Sequence, residues 1–481
     1  MGLFSYVGSA YDAIVDKDRR RPPKMRVRHE DDITPQRDRT RLAATGQDVA
    51  RNFSIARWAI GKHLDYVSSF SFQAKTGDTA LDAVVERFVA EWSSRHRCDV
   101  ARRHPLRRMI RLAEACRCVT GDHAFLKIAG APGGNSRGKL QAIEGDRIAQ
   151  TYDIPESLGG PAAFRNGVKT SAGGATLEYH IGNRDENGRM SFGRVVPARN
   201  MFFHAFYDRF DQVRGISPVV SALNNYQDVY EGFDYALAKV KVAQLFGLAI
   251  YRAGDDALGG NSAAGEDYDE DGIADESAVD FGRGPYQLDL DGEDRAEILE
   301  AGTPATETVA FLQQMVAVAL KSLDIPYSFF DESFTNFYGS RGGLIQYLKS
   351  CRSKVADIQE LLDDITRWRL GLAVADGDVT IPAGLDFDDI EWEWVPDGVP
   401  WWDPVKEVSG HKMAIAAGLS DYQTVCRGAG TDFYENIDRR AEQEAYAKER
   451  GVTLDIGAVI ADAESSPDQS AAGSETPTGE E

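Results

Sequence analysis

The sequence predicts an α+β protein in which long helices flank a β-rich segment. Strand-like stretches are concentrated between residues 123 and 204 and are separated by Gly- and Asn-rich turns. Two other stretches, from Val219 to Leu245 and from Leu344 to Leu372, repeat apolar residues at a spacing near 3.5, which is typical of long helices. Strands grouped in one part of a chain and helices in others are typical of the α+β class.

Length and composition are those of a folded protein of several parts. The chain has 481 residues, 42% of them hydrophobic and 27% charged, which suggests about three structural units and excludes disorder throughout. No uninterrupted apolar stretch reaches about 18 residues, and the first residues lack the pattern of a secretory signal. We therefore expect a soluble protein that is made inside a cell and makes no membrane contact.

The first third of the chain is predicted to be mostly helical. An apolar helical pattern from Leu3 to Val15 is followed by a basic linker broken by prolines, and helices are expected over 48–72, 80–96 and about 106–118. Five arginines accompany the third helix. They favour a solvated or subunit-facing surface, with phosphate contact as the alternative, and they are Arg102, Arg103, Arg107, Arg108 and Arg111.

The remaining elements follow from periodicity and turn residues. Strands are predicted at 123–129, 140–144 and 175–181, and another at 194–196 runs into 201–204. The later elements are helices at 218–246, 307–323 and 344–372. A strand at 390–394 and helices from 404 to about 450 follow. A Gly-rich turn is expected at 339–343. The last twenty residues have the composition of a disordered tail.

Charge is distributed unevenly along the chain. There are 54 basic and 76 acidic residues, for a net charge of −22, which argues against a DNA-binding domain that grips phosphates over a basic face. Residues 1–117 hold 23 Lys and Arg against 15 Asp and Glu, so the rest of the chain holds 31 against 61. Between residues 254 and 280 there are ten acidic residues and no basic ones, which predicts a solvated excursion from the fold.

No catalytic constellation is present, and the sequence predicts a protein that is not an enzyme. Gly133-Gly-Asn-Ser-Arg-Gly138-Lys139 matches the start of a phosphate-binding loop, but Leu140 replaces the required Ser or Thr, and a strand pattern follows instead of a helix. A hairpin turn is the better interpretation. The five cysteines lack the spacing of a zinc site and are predicted to be reduced packing residues.

One acidic stretch has the residue types of a Ca²⁺ loop. Carboxylates at alternate positions, a glycine for a sharp turn and a backbone carbonyl are what this oxygen-seeking ion needs, and the candidate ligands are Asp267, Asp269, Asp271, Ile273 and Asp275. The twelfth position, where an EF-hand places Glu, is Ala278. The alternative is an acidic loop that binds no ion, and no other cofactor is expected.

Several ordered motifs resemble those of the lambda-type portal proteins of tailed bacteriophages. The motifs run in the same order over some 400 residues and are Asn52-Phe-Ser-Ile-Ala-Arg57, Leu140-Gln-Ala-Ile-Glu-Gly-Asp-Arg147, Gln212-Val-Arg-Gly-Ile-Ser-Pro218, Ile325-Pro-Tyr-Ser328, Asn336 with Arg341, Trp401-Trp-Asp-Pro-Val-Lys-Glu407, Ala416-Ala-Gly-Leu419 and Gly430-Thr-Asp432. The resemblance covers nearly everything except the N-terminal arm, the acidic excursion and the tail.

The resemblance implies the parts of a portal subunit, with long stem and wing helices, β-rich wing and clip segments and a helical crown. The implied parts are an N-terminal arm with a basic linker (1–45), the N-terminal part of the wing (46–216), a stem helix (217–246), the clip with the acidic excursion (247–305), a second stem helix (306–325), the tunnel loop (326–343), the long helix and wing strand (344–403), the crown (404–460) and a disordered acidic tail (461–481).

The resemblance also implies function and partners. About twelve copies would form a homo-oligomeric ring, a dodecamer, at one capsid vertex, and double-stranded DNA would pass through its channel during packaging and ejection. Terminase, head-tail connector proteins, and major capsid protein or scaffold would be its partners, in a virion assembled in the host cytoplasm. The channel-lining residues would be Asn336, Phe337, Tyr338, Ser340 and Arg341, where the family pattern reads Asn-Tyr-Ser-Ser-Ala-Arg.

Two other functions stay open from the residues alone. A nucleotide-hydrolysing packaging component would use the loop at 133–139, and a calcium-binding virion adaptor would use the aspartate loop. The acidic balance agrees with the portal interpretation, because each neutralised phosphate adds affinity and would hold DNA that has to slide.

Overall fold

The computed structural model describes residues 29–245, 249–251, 295–297, 306–331, 337–399 and 404–452. It divides into two compact units. The large unit contains the described residues before 221 and after 322, and the small unit is Ser221–Ser322. Helices and small sheets are both present, so the predicted α+β class is confirmed. Within the described ranges, no helix is long and apolar enough to span a bilayer.

From residue 29 onward, where the described residues begin, the large unit opens with six helices: α1 (Glu30–Ile33), α2 (Gln36–Asn52), α3 (Ser54–Val67), α4 (Thr79–Trp92), α5 (Arg95–Cys98) and α6 (Leu106–Thr120). Helix α6 buries an apolar face that includes Leu106, Met109 and Ile110. It ends at Gly121, which adopts a left-handed conformation (φ 97°) that an L side chain disfavours.

Two three-stranded antiparallel sheets follow. The first has the order β3 (Lys139–Glu144), β2 (Asp122–Ile128), β7 (Met201–Ala205), and the second has the order β4 (Val168–Thr170), β5 (Thr176–Arg184), β6 (Met190–Pro197). Residues from both sheets share one core, in which Ala124, Ile143, Ile181 and Val196 are buried. Residues 129–138 form the turn of the β2–β3 hairpin, which confirms the hairpin predicted for 133–139.

The C-terminal part of the large unit is dominated by one long helix. After α9 (Tyr327–Asp331), helix α10 (Phe337–Asp376) packs against α3, β7 and strand β10 (Trp392–Pro396). Its buried stripe includes Cys351, Ile358, Leu362 and Ile365, which are seven, four and three residues apart and belong to the stripe that the sequence predicts. Helices α11 (Pro404–Ala416), α12 (Tyr422–Gly428) and α13 (Phe433–Glu449) complete the described chain.

The described residues of the small unit form two helices and a short hairpin. Helix α7 (Leu223–Leu245) packs along α8 (Thr306–Leu320), and β8 (Ala249–Tyr251) pairs with β9 (Arg295–Glu297) in antiparallel register. Gly232 permits a close approach of the helices, because a Cβ there would lie 2.6 Å from Cδ2 of Leu312. Both helices match the sequence prediction to within a few residues.

Three predicted element boundaries were wrong. The single helix expected over 48–72 is two helices that meet at Phe53, whose backbone is extended, and residues 70–72 belong to strand β1 (Phe70–Ala74). The expected helix 80–96 stops at Trp92. Strand β6 and strand β7 lie in different sheets, separated by a short 3-10 turn, instead of forming one continuous run. For residues 70–72 and for β7, pairing with a strand that is distant in sequence outweighs the local pattern.

The start of α10 is a further correction. A Gly-rich turn was expected at 339–343 with the helix beginning at 344, but the helix begins at Phe337 and includes all three glycines of this stretch. Gly343 lies against the segment before α10, and a Cβ there would be 3.4 Å from Pro326 Cβ. Packing against residues 326–330 therefore favours the helical conformation that the glycines alone disfavour.

Candidate functional site

The predicted channel residues lie at the start of α10. Asn336 is outside the described residues, and Phe337 and Tyr338 form part of the first helical turn. Ser340 is buried. Arg341 is 39% exposed, and its Nη2 lies 3.5 Å from Oε1 of Glu407 on α11. Ser340 and Arg341 therefore lie on one helix. The segment 326–343, which was expected to be the tunnel loop, contains helix α9 and the first turns of α10.

An aromatic cluster anchors this region on α3. The ring centroids of Tyr66 and Tyr347 are 5.1 Å apart, those of Phe329 and Tyr347 are 5.5 Å apart, and those of Trp58 and Phe330 are 5.8 Å apart, all in edge-to-face contact. Such pairs contribute about 0.5–1.5 kcal/mol each beyond the area that they bury. These contacts attach α9, which precedes residues 332–336, to α3. They also attach the part of α10 around Tyr347, which follows residues 332–336.

A buried ion pair lies at the start of strand β2. Nε and Nη2 of Arg214 donate to the carboxylate of Asp122 at 2.7 and 2.8 Å, and Arg39 approaches the same group at 3.2 Å. Burial alone would raise the pKa of Asp122, but the charge and hydrogen bonds of Arg214 hold it below its usual value. The pair is ionised and fully enclosed.

Two of the portal-like motifs meet at this ion pair. Arg214 belongs to the motif 212–218, and it donates at 2.6 Å to the carbonyl of Gly145 in the motif 140–147. A Cβ on Gly145 would lie 2.2 Å from Oδ1 of Asp122, so only glycine fits there. Ser217 then accepts from the N–H of Val219 at the turn that precedes α7. The sequence singled out both motifs without showing that they are in contact.

A second buried polar cluster surrounds Glu114 on α6. Its carboxylate accepts from Nε of Arg117 at 2.7 Å and contacts Nε2 of His63 at 2.8 Å, while Arg117 also reaches Asp357 at 2.8 Å. Burial alone would raise the pKa of Glu114, but contacts from His204 and His63 and the charge of Arg117 hold it well below its usual range. Sequence analysis missed this cluster, although charged residues on the apolar face of α6 are a signal for it.

The Glu114 cluster has the compactness of a metal site but not its chemistry. The ligand atoms of His63, Glu114 and Cys118 lie within 4.8 Å of one another. However, the Glu114 carboxylate already accepts a hydrogen bond from Arg117 and contacts His63. Burial also raises the pKa of the Cys118 thiol well above its usual value. A metal thiolate would have to form beside a guanidinium, so these residues fit a structural ion-pair network better than a metal.

The other sequence-predicted features fall in different places. The aspartate loop, with Asp267, Asp269, Asp271, Ile273 and Asp275, lies outside the described residues, so its Ca²⁺ site stays a prediction. All five cysteines are free thiols. Arg107 and Arg111 pair at the surface with Asp397 and Asp65, at 3.3 and 2.7 Å, as expected for a solvated face.

Comparison with solved structures returns particle components. A chain from the "virion of native gene transfer agent (GTA) particle" has 14% identity and a TM-score of 0.48, and the match covers 83% of this chain and 94% of that one. A chain from the "neck of native GTA particle computed with C12 symmetry" has 13% identity and a TM-score of 0.47, with 82% and 94% covered. Comparison with curated proteins gives no match.

Comparison with family models gives one match that spans most of the chain. The model described as "phage portal protein, lambda family" matches residues 18–353, which include the two motifs joined by Arg214 and the start of α10. This range exceeds half of the 481 residues. The chain belongs to the lambda family of phage portal proteins.

Proposed function

We propose that this protein forms the portal ring at one capsid vertex of a phage-type particle. The ring, of about twelve copies, is the conduit for DNA packaging and ejection, and it is the docking site for terminase and the head-tail connector proteins. The observation that carries the proposal is the family match over residues 18–353. The family is structural and virion-associated, and we infer that the protein is not an enzyme.

Exposed apolar side chains on the small unit support ring formation. Tyr230, Phe233 and Leu237 lie along one side of α7, whereas Tyr235, which is 73% exposed, lies on another side. On α8, Phe311 is 63% exposed. A ring needs two different surfaces on each subunit, one for each neighbour. Exposed apolar side chains on two sides of one helix supply such surfaces, and their burial between neighbouring subunits stabilises the assembly.

Within this ring, the parts of the chain are assigned as the family resemblance implies. Residues 217–246 and 306–325 are the stem helices, 247–305 is the clip, and the residues after 404 are the crown. The separation of Ser221–Ser322 as its own compact unit supports this division. The channel is assigned to Asn336 and to four residues at the start of α10, which are Phe337, Tyr338, Ser340 and Arg341.

The two alternative functions receive different support. A nucleotide-hydrolysing component would need a phosphate loop followed by a helix N-terminus, but residues 133–139 are followed by strand β3. A calcium-binding adaptor depends on the aspartate loop, which the described residues do not include. We retain Ca²⁺ binding there as a prediction from the sequence and not as the main function.

The channel assignment is tested with a substitution that removes the positive charge of Arg341. We expect Arg341→Gln to leave rings intact, because the side chain is partly exposed and its ion pair with Glu407 is long, at 3.5 Å. We also expect it to reduce the length of DNA in each particle, measured by gel electrophoresis of extracted DNA. The matched control is Arg352→Gln, which lies on the same exposed face of α10 about 16 Å farther along the helix. Unchanged DNA length in Arg341→Gln, or an equal loss in both variants, contradicts the assignment.

A further inference from the structure

A polar cleft in the large unit has no role in the function proposed above. Its volume is about 630 Å³, and it lies where α4, α5, the β2–β3 turn and α10 meet. Five basic side chains line it, against two acidic ones, Glu91 and Asp378; the basic ones are Arg97, Arg102, Arg137, Lys139 and Arg369. In a chain with a net charge of −22, this surface has the opposite sign to the whole. We call it the basic cleft.

Two of the five cations are already neutralised at the rim. Arg97 pairs with Glu91 at 2.7 Å, and Arg137 makes two contacts to Asp376, at 2.5 and 2.8 Å. These pairs shape the cleft but leave little charge for a ligand. The remaining positive charge belongs to Arg369, Lys139 and Arg102.

Arg369 is held rigidly and lacks full compensation. Its guanidinium lies 4.6 Å from the centre of the Phe88 ring and against Gly138, where a Cβ would lie 2.7 Å from Nε. Its side chain is 12% exposed, and its nearest carboxylate, Asp378, is 3.9 Å away. Nε and Nη1 are buried without a hydrogen-bond partner in the described chain. Burial lowers the pKa of Arg369 although Asp378 and Asp376 oppose it, so a further negative charge nearby would be stabilising.

Lys139 and Arg102 complete the set from two other elements. Lys139 is only 6% exposed, and Nζ donates to the carbonyl of His96 at 2.8 Å. Arg102 has a left-handed backbone (φ 57°), which is unusual for a residue with a side chain. Asp99 fixes this loop, because its carboxylate accepts from the N–H groups of Ala101 and Arg103. In the described residues neither cation is paired with a carboxylate.

We propose that the basic cleft binds a phosphate group, either as inorganic phosphate or as the terminal phosphate of a nucleotide. A compact oxyanion with several acceptor oxygens matches three cations that line one cleft from separate elements. Lys139 and Arg369 are nearly buried at this cleft, 6% and 12% exposed, which favours a small anion over an extended polyanion. The turn 133–139 thus contributes to anion binding through side chains, without the backbone cradle of a nucleotide loop.

Calorimetric titration of the full-length protein in a chloride buffer at pH 7 tests the proposal. We expect inorganic phosphate to bind with a dissociation constant in the millimolar range or lower. We expect Lys139→Gln and the exposed variant Arg102→Gln each to weaken binding at least about tenfold. Arg108→Gln, an exposed arginine of α6 outside the cleft, removes the same charge and should bind phosphate as the wild type does.

Parallel titrations with inorganic phosphate and with ATP distinguish the two sources of the phosphate group. Binding of ATP more tightly than phosphate, with loss in Arg102→Gln, supports the nucleotide source, and equal binding supports inorganic phosphate. Absence of phosphate binding overturns the proposal, and so does an equal loss in Arg108→Gln, which would indicate general charge. Cleft-dependent binding of duplex DNA or of poly-glutamate, without phosphate binding, overturns it in favour of a macromolecular contact.

Discussion

At the scale of single residues, Arg214 connects distant parts of the large unit. Its guanidinium contacts Asp122 at the start of β2, the carbonyl of Gly145 after β3, and the carbonyl of Asn166 at 2.7 Å. A buried ion pair of this kind gains little over an apolar replacement, but removal of one partner leaves an uncompensated charge. We therefore interpret Arg214 as a residue that fixes the arrangement of the β-rich segment.

Removal of one partner should be costly. We expect Arg214→Met to lower the free energy of unfolding by about 3–5 kcal/mol, because Asp122 would stay buried with Arg39 as its remaining ion-pair partner in the described residues. Addition of Asp122→Asn should recover part of the loss, so the double variant should be less destabilised than the sum of the single ones. Urea unfolding measures all three. Arg440→Met, which breaks an exposed pair on α13, is the control and should cost less than about 1 kcal/mol; a similar cost for both arginines would refute the role of Arg214.

Sequence reasoning could identify the motif around Arg214 but not its contacts. Asp122 precedes Arg214 by 92 residues, and neither local periodicity nor composition reports a pairing across that distance. For Arg341, the family pattern predicted a channel position, but it did not show that residues 337–343 are helical, with Gly343 packed against Pro326. In both cases the missing information was a contact between residues that are distant in sequence or in different elements.

At the scale of elements, one glycine determines how closely two helices pack. Gly46 of α2 faces α6, and a Cβ there would lie 2.6 Å from the carbonyl oxygen of Val119. Gly61 of α3 is also inside a helix, but nothing lies within 4 Å of its Cβ position. The two glycines have the same helix propensity and differ only in packing, which makes them a matched pair.

Alanine substitutions should therefore have opposite effects. Gly61→Ala should raise the free energy of unfolding by about 0.5–1 kcal/mol through helix propensity. Gly46→Ala should lower it by about 1–3 kcal/mol, because α2 and α6 would have to separate. Thermal unfolding of the two variants in parallel decides the point. Stabilisation by Gly46→Ala would show that the helices do not pack as described.

Elements with strong local signals could be predicted, and elements defined by distant pairing could not. Strands β2 and β3 and helices α7 and α8 lie close to their predicted bounds because periodicity and turn residues define them. Strand β1 was predicted as the end of a helix, since its partner β10 is more than 300 residues away, with Phe70 opposite Pro396. The break at Phe53 between α2 and α3 likewise lacks the Gly or Pro that usually marks a helix end.

At the scale of the whole molecule, the central claim is that the subunit is incomplete alone. An assembly in which many copies enclose a channel for DNA accounts for three observations. They are the family membership, the exposed apolar side chains on two sides of α7, and the strongly acidic chain. The basic cleft is a separate feature, and its test does not depend on the ring. The ring, in contrast, is required for every other function proposed here.

Electron microscopy of the purified full-length protein tests this claim most directly. End-on class averages should show closed rings of about twelve subunits around a central hole, since neighbouring copies would bury the apolar side chains of α7 and α8. Light scattering on the same sample should give a mass many times that of one 52.8 kDa chain. A monodisperse 52.8 kDa species at every concentration tried, with no rings in the images, would contradict the account.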